Sequence, residues 1–188
     1  MGARKLLVAV VVQALLLMLV GGARAQAPAS SSVGACAGDT QVPSDAASRQ
    51  TATAAVLCLV NAERARRALR PVGVSAQLTR AAAGHSGDMV RRGYFSHVSP
   101  GGVGLRPRVA RTGYVRGSRT LLGEALACGA DAWATPAKLV QDVMADPAHR
   151  AIVLDARYRD IGIGLAIGAA LEGMGDAGAT LSLTFGRR

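Results

Sequence analysis

The stretch from Asp146 to Gly164, DPAHRAIVLDARYRDIGIG, constrains the fold more than any other part of the chain. Asp146 followed by Pro147 predicts a helix start. The carboxylate can accept from the unpaired amides of the first turn, and proline lacks an amide that would find no partner there. His149 then falls in that first turn, which puts its ring near a cleft or a helix terminus. After a short polar break the period changes to two. Ile161, Ile163, Leu165 and Ile167 alternate with Gly162, Gly164, Ala166 and Gly168, so one strand face is bulky and the other almost bare. A bare strand face admits another backbone, or a ligand, at close range. An imidazole beside such a strand is the place to look for function.

The ends and the compartment come next. Arg4 and Lys5, an apolar run from Leu6 to Val20, and the small-x-small site Ala23-Arg24-Ala25 predict a cleaved signal peptide over residues 1–25. The apolar run falls short of the roughly 20 residues that span a bilayer, and Gln13 interrupts it. The expectation is a secreted or wall-associated mature protein with no membrane span. Export favours a disulfide, and three cysteines leave one thiol over. Cys36 lies in the leader and Cys58 in the first helix, so a Cys36–Cys58 bridge that ties leader to core is preferred to any pairing of Cys128. Cys128, after Leu126 and Ala127, reads as a small apolar filler in preference to a nucleophile.

Loss of residues 1–25 removes Arg4, Lys5 and Arg24 and no acid, which takes the net charge from +10 to +7. All the basic residues but Lys5 and Lys138 are arginines, and along the sequence they are scattered, not gathered in one stripe. Such a surface adheres to acidic wall polymers or lipid head groups. Nucleic-acid recognition needs aromatic platforms or a recognition helix, and the sequence has six aromatic residues in all, so that class is set aside.

Residues 26–50, rich in Ala, Ser, Gly and Pro, predict a flexible leader, and 51–188 a single domain. A helix over about 51–69 is expected to bury Cys58, Ala62, Ala65 and Leu69 and to turn Glu63, Arg64, Arg66 and Arg67 to water, with Pro71 forbidding its continuation. Ser75 caps a second helix that ends at Gly93 and buries Leu78, Ala82, His85 and Met89. His85 therefore reads as a core histidine hydrogen-bonded to a neighbouring segment. His97 follows in a Ser/Pro/Gly loop on a rigid base, where functional side chains concentrate. Leu105 to Arg111 predicts a short basic helix. Leu121 to Ala127 is an apolar run holding one acid, Glu124, whose burial demands an arginine, a metal or another donor. Thr135 and Pro136 open a third long helix with Leu139, Val140, Val143 and Met144 on its apolar face. Leu181, Leu183 and Phe185 alternate with polar residues as a last strand. Helices followed by a compact antiparallel sheet make the fold α+β.

Taken in order, Leu59-Val60-Asn61-x-Glu63-Arg64, His85-Ser86-x-Asp88-Met89, Gly93-Tyr94-Phe95-Ser96-His97-x-Ser99-Pro100, Gly123-Glu124, and Pro147-x-His149-Arg150 leading to Ile161-Gly162-Ile163-Gly164 resemble the CAP superfamily. This group comprises cysteine-rich secretory proteins, antigen 5 and plant pathogenesis-related proteins of group one, and the likeness, over about Val56 to Gly186, is greatest to the short bacterial SCP-like branch. The resemblance implies an α–β–α sandwich with a small antiparallel sheet between helix layers. It also implies a cleft with two histidines and two acids, carried onto His97, Glu124 and His149, and loosely onto Asp146, for which a helix cap is the preferred reading. The Asn that commonly follows Gly-Glu is Ala125 here, and the Trp late in the third long helix is Val143, both departures expected to alter the cleft rim. His97, His149 and Glu124 form a donor set suited to Zn²⁺ or a similar divalent ion. The favoured function is an extracellular binding module for a lipid, cell-wall component or protein ligand. The alternative is a metal-assisted hydrolase in which Glu124 serves as ligand or general base, although no HExxH motif and no serine or cysteine nucleophile arrangement accompanies it. A purely structural wall-associated domain is the third reading.

Overall fold

The computed structural model describes residues 36–171, 173–174 and 177–188. The expected signal peptide and residues 26–35 of the expected leader lie outside them.

Each long helix starts where a side chain caps it. The Asp45 carboxylate accepts from the Ser48 amide at 2.8 Å and the Ser48 hydroxyl accepts from the Asp45 amide at 3.0 Å, which opens α1 (Ala46–Ala65). The helix thus begins before the expected Thr51 and takes in the end of the expected leader. Its buried stripe is also displaced: Ala52, Val56, Val60 and Arg64 face inward, while Cys58, Ala65 and Arg66 are exposed. Arg64 is wholly buried because carbonyls receive it. Its Nε donates to Arg70 O at 2.9 Å, and Nη1 donates to Val153 O at 2.6 Å and to Asp155 O at 3.1 Å. Asn61 makes a reciprocal pair with the Val72 main chain (2.9 and 3.2 Å), which steers the chain into the two-residue strand β1 (Gly73–Val74).

The second helix, α2 (Ala76–Arg92), runs from Ser75 to a left-handed Gly93 and buries Leu78, Ala82, His85 and Met89, as the spacing requires. A short helix α3 (Leu105–Ala110) and the long strand β2 (Leu121–Ala130) follow. Then come a 3₁₀ turn (Asp131–Ala134), α4 (Pro136–Ala145), α5 (Pro147–Val153), β3 (Asp160–Ile167) and β4 (Gly178–Arg187). Thr135 caps α4 and Asp146 caps α5.

The sheet order is β1-β3-β4-β2. The three longer strands are antiparallel, and β1 joins β3 in parallel, an edge too short to show any alternation in the sequence. One sheet face carries Ile161, Ile163, Leu165, Leu181, Leu183, Phe185, Ala125 and Ala127. It packs on Ala52, Val56 and Val60 of α1 and Leu139, Val140 and Val143 of α4. Ala125 and Val143 are therefore core residues, and neither lies on a cleft rim. The other face carries Gly162, Gly164 and the buried Thr180, Ser182 and Thr184, and α2 covers it. A Cβ on Gly162 would run into the main chain of Leu78 and Thr79, and one on Gly164 into that of Ala82 and Ala83. The bare strand face is thus occupied by a helix backbone and is closed to any ligand. With helices on both faces, the molecule is the expected α–β–α sandwich.

The Cys36–Cys58 disulfide is present, with Cα atoms 5.9 Å apart, and fastens the segment before α1 to the middle of that helix. Cys128 is free and half-buried, and its sulfur accepts from the Ala170 amide at 3.2 Å.

Replacing Gly164 by Ala is expected to cost about 1–3 kcal/mol, the range for forcing atoms into a filled interior. Gly84→Ala, in α2 where an added Cβ meets nothing within 4 Å, is expected to be neutral or to stabilise by up to about 1 kcal/mol. Urea unfolding of the two variants checks this, and equal effects would mean that α2 does not rest on the β3 main chain.

Candidate functional site

β2 lies at the sheet edge, so side chains from both helix layers can meet beside it. Glu124 leaves β2 on the α2 side, opposite Thr184, and its side chain is 3% exposed. A carboxylate so buried needs a cation. Arg108 of α3 supplies it, with Nη2 at 2.7 Å from Oε1 and 2.8 Å from Oε2. The Ser182 hydroxyl adds a longer contact to Oε1 at 3.5 Å. Burial alone would raise the Glu124 pKa, but the His97 hydrogen bond and the Arg108 charge outweigh it and hold the carboxyl below its ordinary value.

His97 is fixed from three sides. His85, in the core of α2, donates through Nε2 to the Ser96 carbonyl at 2.9 Å and anchors the loop; burial holds its pKa below the usual imidazole value. Arg108 Nη1 donates to the His97 carbonyl at 2.8 Å and to Val103 O at 2.9 Å. The His97 ring donates from Nδ1 to Glu124 Oε2 at 3.0 Å, which leaves its Nε2 bare. That nitrogen faces His149 Nε2 at 3.3 Å. His149 reaches this position from the first turn of α5, where its amide donates to Asp146 Oδ1 at 2.7 Å. The same oxygen is 3.7 Å from His149 Nδ1, outside hydrogen-bond range, so His149 is free to carry its proton on Nε2 and donate it to His97.

The four residues of the sequence-based set thus lie in one neighbourhood but do not share one point. His97 and His149 turn their Nε2 atoms toward each other. Glu124 stands behind His97, on its other nitrogen, and is held by a guanidinium. Asp146 caps α5, and the amide of His149 holds its carboxyl below the ordinary value. Among the described residues no three His, Cys, Asp or Glu side chains converge as a metal site. Both Glu124 oxygens face Arg108, so a cation at them would sit against the guanidinium. The pairing with an arginine, one of the partners its burial demands, is what the structure contains. Arg108 itself was not singled out by the sequence. The signal was the buried acid's need for a cation, together with a short helix carrying two arginines, Arg108 lying 16 residues before Glu124.

A model of the cysteine-rich secretory protein family, CAP, matches residues 57–174. No curated protein matches the sequence significantly. Solved structures with the same fold include an extracellular protein containing an SCP domain from Bacillus anthracis, at 24% identity and TM-score 0.60, covering 78% of this chain and 45% of that one. An outer surface protein of Borrelia burgdorferi aligns at 16% identity and TM-score 0.59, over 71% of this chain and 90% of that one. A cysteine-rich secretory protein from Staphylococcus aureus aligns at 16% identity and TM-score 0.53, over 74% and 39%. The chain spans less than half the length of the first and the third.

Removing Arg108 with alanine strands a buried carboxylate and is expected to cost about 3–5 kcal/mol. The pH dependence has a definite sign. With the folded-state pKa of Glu124 below its ordinary 4.5, the stability it contributes is complete above 4.5 and is lost as pH falls through the lower folded value. The stability gap between wild type and Glu124→Gln should therefore shrink on acidification below 4.5. Denaturant unfolding across that range checks it, and a constant gap would show that this pair is not the source.

Proposed function

The chain belongs to the cysteine-rich secretory protein (CAP) family, and from that premise we propose that it works outside the cytoplasm as a binding module. It takes up a lipid, cell-wall component or protein ligand at the His97–His149 pair and does not turn it over. One observation carries this reading: the buried acid beside that pair, Glu124, is spent on Arg108 and on the orientation of His97. A general base must reach a proton of the substrate, whereas both Glu124 oxygens are turned toward a guanidinium inside the protein. The disulfide and the similar SCP-domain protein from Bacillus anthracis, described as extracellular, support the compartment. Among the described residues no helix is long and apolar enough to cross a membrane.

A divalent ion such as Zn²⁺ fits the two imidazoles and does not fit the acids. His97 and His149 would hold it through Nε2, and it would offer a Lewis-acidic point to a ligand oxygen. Glu124 then has the role of a carboxylate behind a ligating histidine: it keeps the proton on Nδ1 and the ring in register. Asp146 keeps α5 capped and His149 in place. These are binding and orienting roles.

Calorimetric titration with Zn²⁺ tests the site. Saturable binding is expected for the wild type, lost in His97→Ala and in His149→Ala, and weakened about tenfold or more, without being abolished, in Glu124→Gln. Binding indifferent to both histidines would remove the metal from this pair. Turnover of a simple aryl ester that disappears with His97→Ala would overturn the binding-only reading.

A further inference from the structure

A cleft between the outer face of α2 and the segment 99–112 holds charge that the protein does not neutralise. It encloses about 370 Å³, and its walls include Arg80, Arg91 and Arg92 from one side and Arg108 and Arg111 from the other. On α2 the positions 80, 84, 88 and 91/92 recur at helical spacing and share one face. Asp88 is the one acid of the lining. It already accepts from the Tyr94 hydroxyl at 2.7 Å and stands 3.4 Å from Arg91 and 3.6 Å from Arg92. Arg108 is committed to Glu124. Among the described residues neither Arg80 nor Arg111 meets a carboxylate, and Arg80 reaches the Thr112 carbonyl at 3.2 Å. Five guanidinium groups about one small cleft repel one another, and a bound anion relieves that repulsion.

The floor of this cleft adds an independent sign. Gly84 stands in the interior of α2, where glycine is less favourable than alanine. At Gly162 and Gly164 a neighbouring backbone explains the glycine. At Gly84 a Cβ would meet nothing within 4 Å, so packing does not require its absence. Its lack leaves bare main chain facing the cleft, and Gly101 on the opposite wall is open in the same way.

We propose that this cleft binds a phosphate-bearing ligand. The planar fork of arginine matches two phosphate oxygens at once, and several forks around a concave floor select a compact, multiply charged group over a single carboxylate. The volume is at the small end for ligand sites and suits one phosphorylated unit. The phosphate can belong to a small soluble compound or to the head group of an acidic phospholipid; the recognising chemistry is the same.

The test is calorimetric titration with pyrophosphate at a fixed ionic strength of about 0.15 M, alongside flotation with phosphatidylcholine vesicles with and without phosphatidic acid. Three variants accompany the wild type, each checked for fold by thermal unfolding. Arg80→Ala with Arg111→Ala removes charge from the cleft. Gly84→Leu fills the floor and leaves every charge in place. Arg49→Ala with Arg67→Ala removes the same charge elsewhere. One-site saturation is expected in the wild type and in the third variant, with affinity about tenfold or more weaker in the first two, as for loss of a charge-assisted hydrogen bond. Vesicle binding that requires phosphatidic acid and is displaced by pyrophosphate identifies a lipid head group as the source; saturation without vesicle binding identifies a soluble one. Absence of saturation, equal weakening in the third variant, or indifference to Gly84→Leu would overturn the proposal in favour of diffuse surface charge.

Discussion

The architecture depends on one contact, the main chain of α2 lying against the glycines of β3. A helix normally rests on side chains. Here Gly162 and Gly164 bring Leu78 and Ala82 down to the strand itself, and the small residues Thr180, Ser182 and Thr184 of β4 continue the same low surface. The depth of α2 fixes the level of His85, and the bond from His85 to the Ser96 carbonyl fixes the loop that carries His97. The site histidine is thus positioned by a backbone contact two steps away.

The second constraint is electrostatic. A carboxylate on a strand facing an α-helix layer is costly unless its charge is answered. Arg108 answers it and, with its other nitrogen, holds the His97 and Val103 carbonyls, so one side chain gathers α3, the loop and β2. The consequence for chemistry is a division of labour. The acid stabilises and orients, while His97 and His149 turn their Nε2 atoms toward each other.

Much of this was legible in the sequence because it is local. Ser75 with Gly93, Thr135 with Pro136, and Asp146 with Pro147 mark their helices through hydrogen bonds made within one turn. The β3 alternation foretold two unlike faces, although not that a helix backbone would claim the bare one. The resemblance brought His97, Glu124 and His149 together, and the structure shares them out between an open pair and a locked acid. Non-local features escaped. Arg64 was assigned to water because the stripe was laid on nearly the opposite side of the helix; Ala52, Val56 and Val60, four apart, mark the inward line on which Arg64 falls. The arginines look scattered along the chain because α2 and residues 108–111 come together only on folding. β1 is too short to carry any pattern.

Arg108 serves two places: it backs Glu124 on one side and lines the arginine-rich cavity on the other. An anion that drew on its Nη2 from the cavity would compete with Glu124 for that nitrogen, and through Glu124 would change how firmly the His97 ring is held. Two sites that share a donor are thermodynamically linked. By whatever factor occupancy of one alters affinity at the other, the reverse effect has the same size. If both proposed sites bind, one shared side chain is enough for one ligand to register the presence of the other.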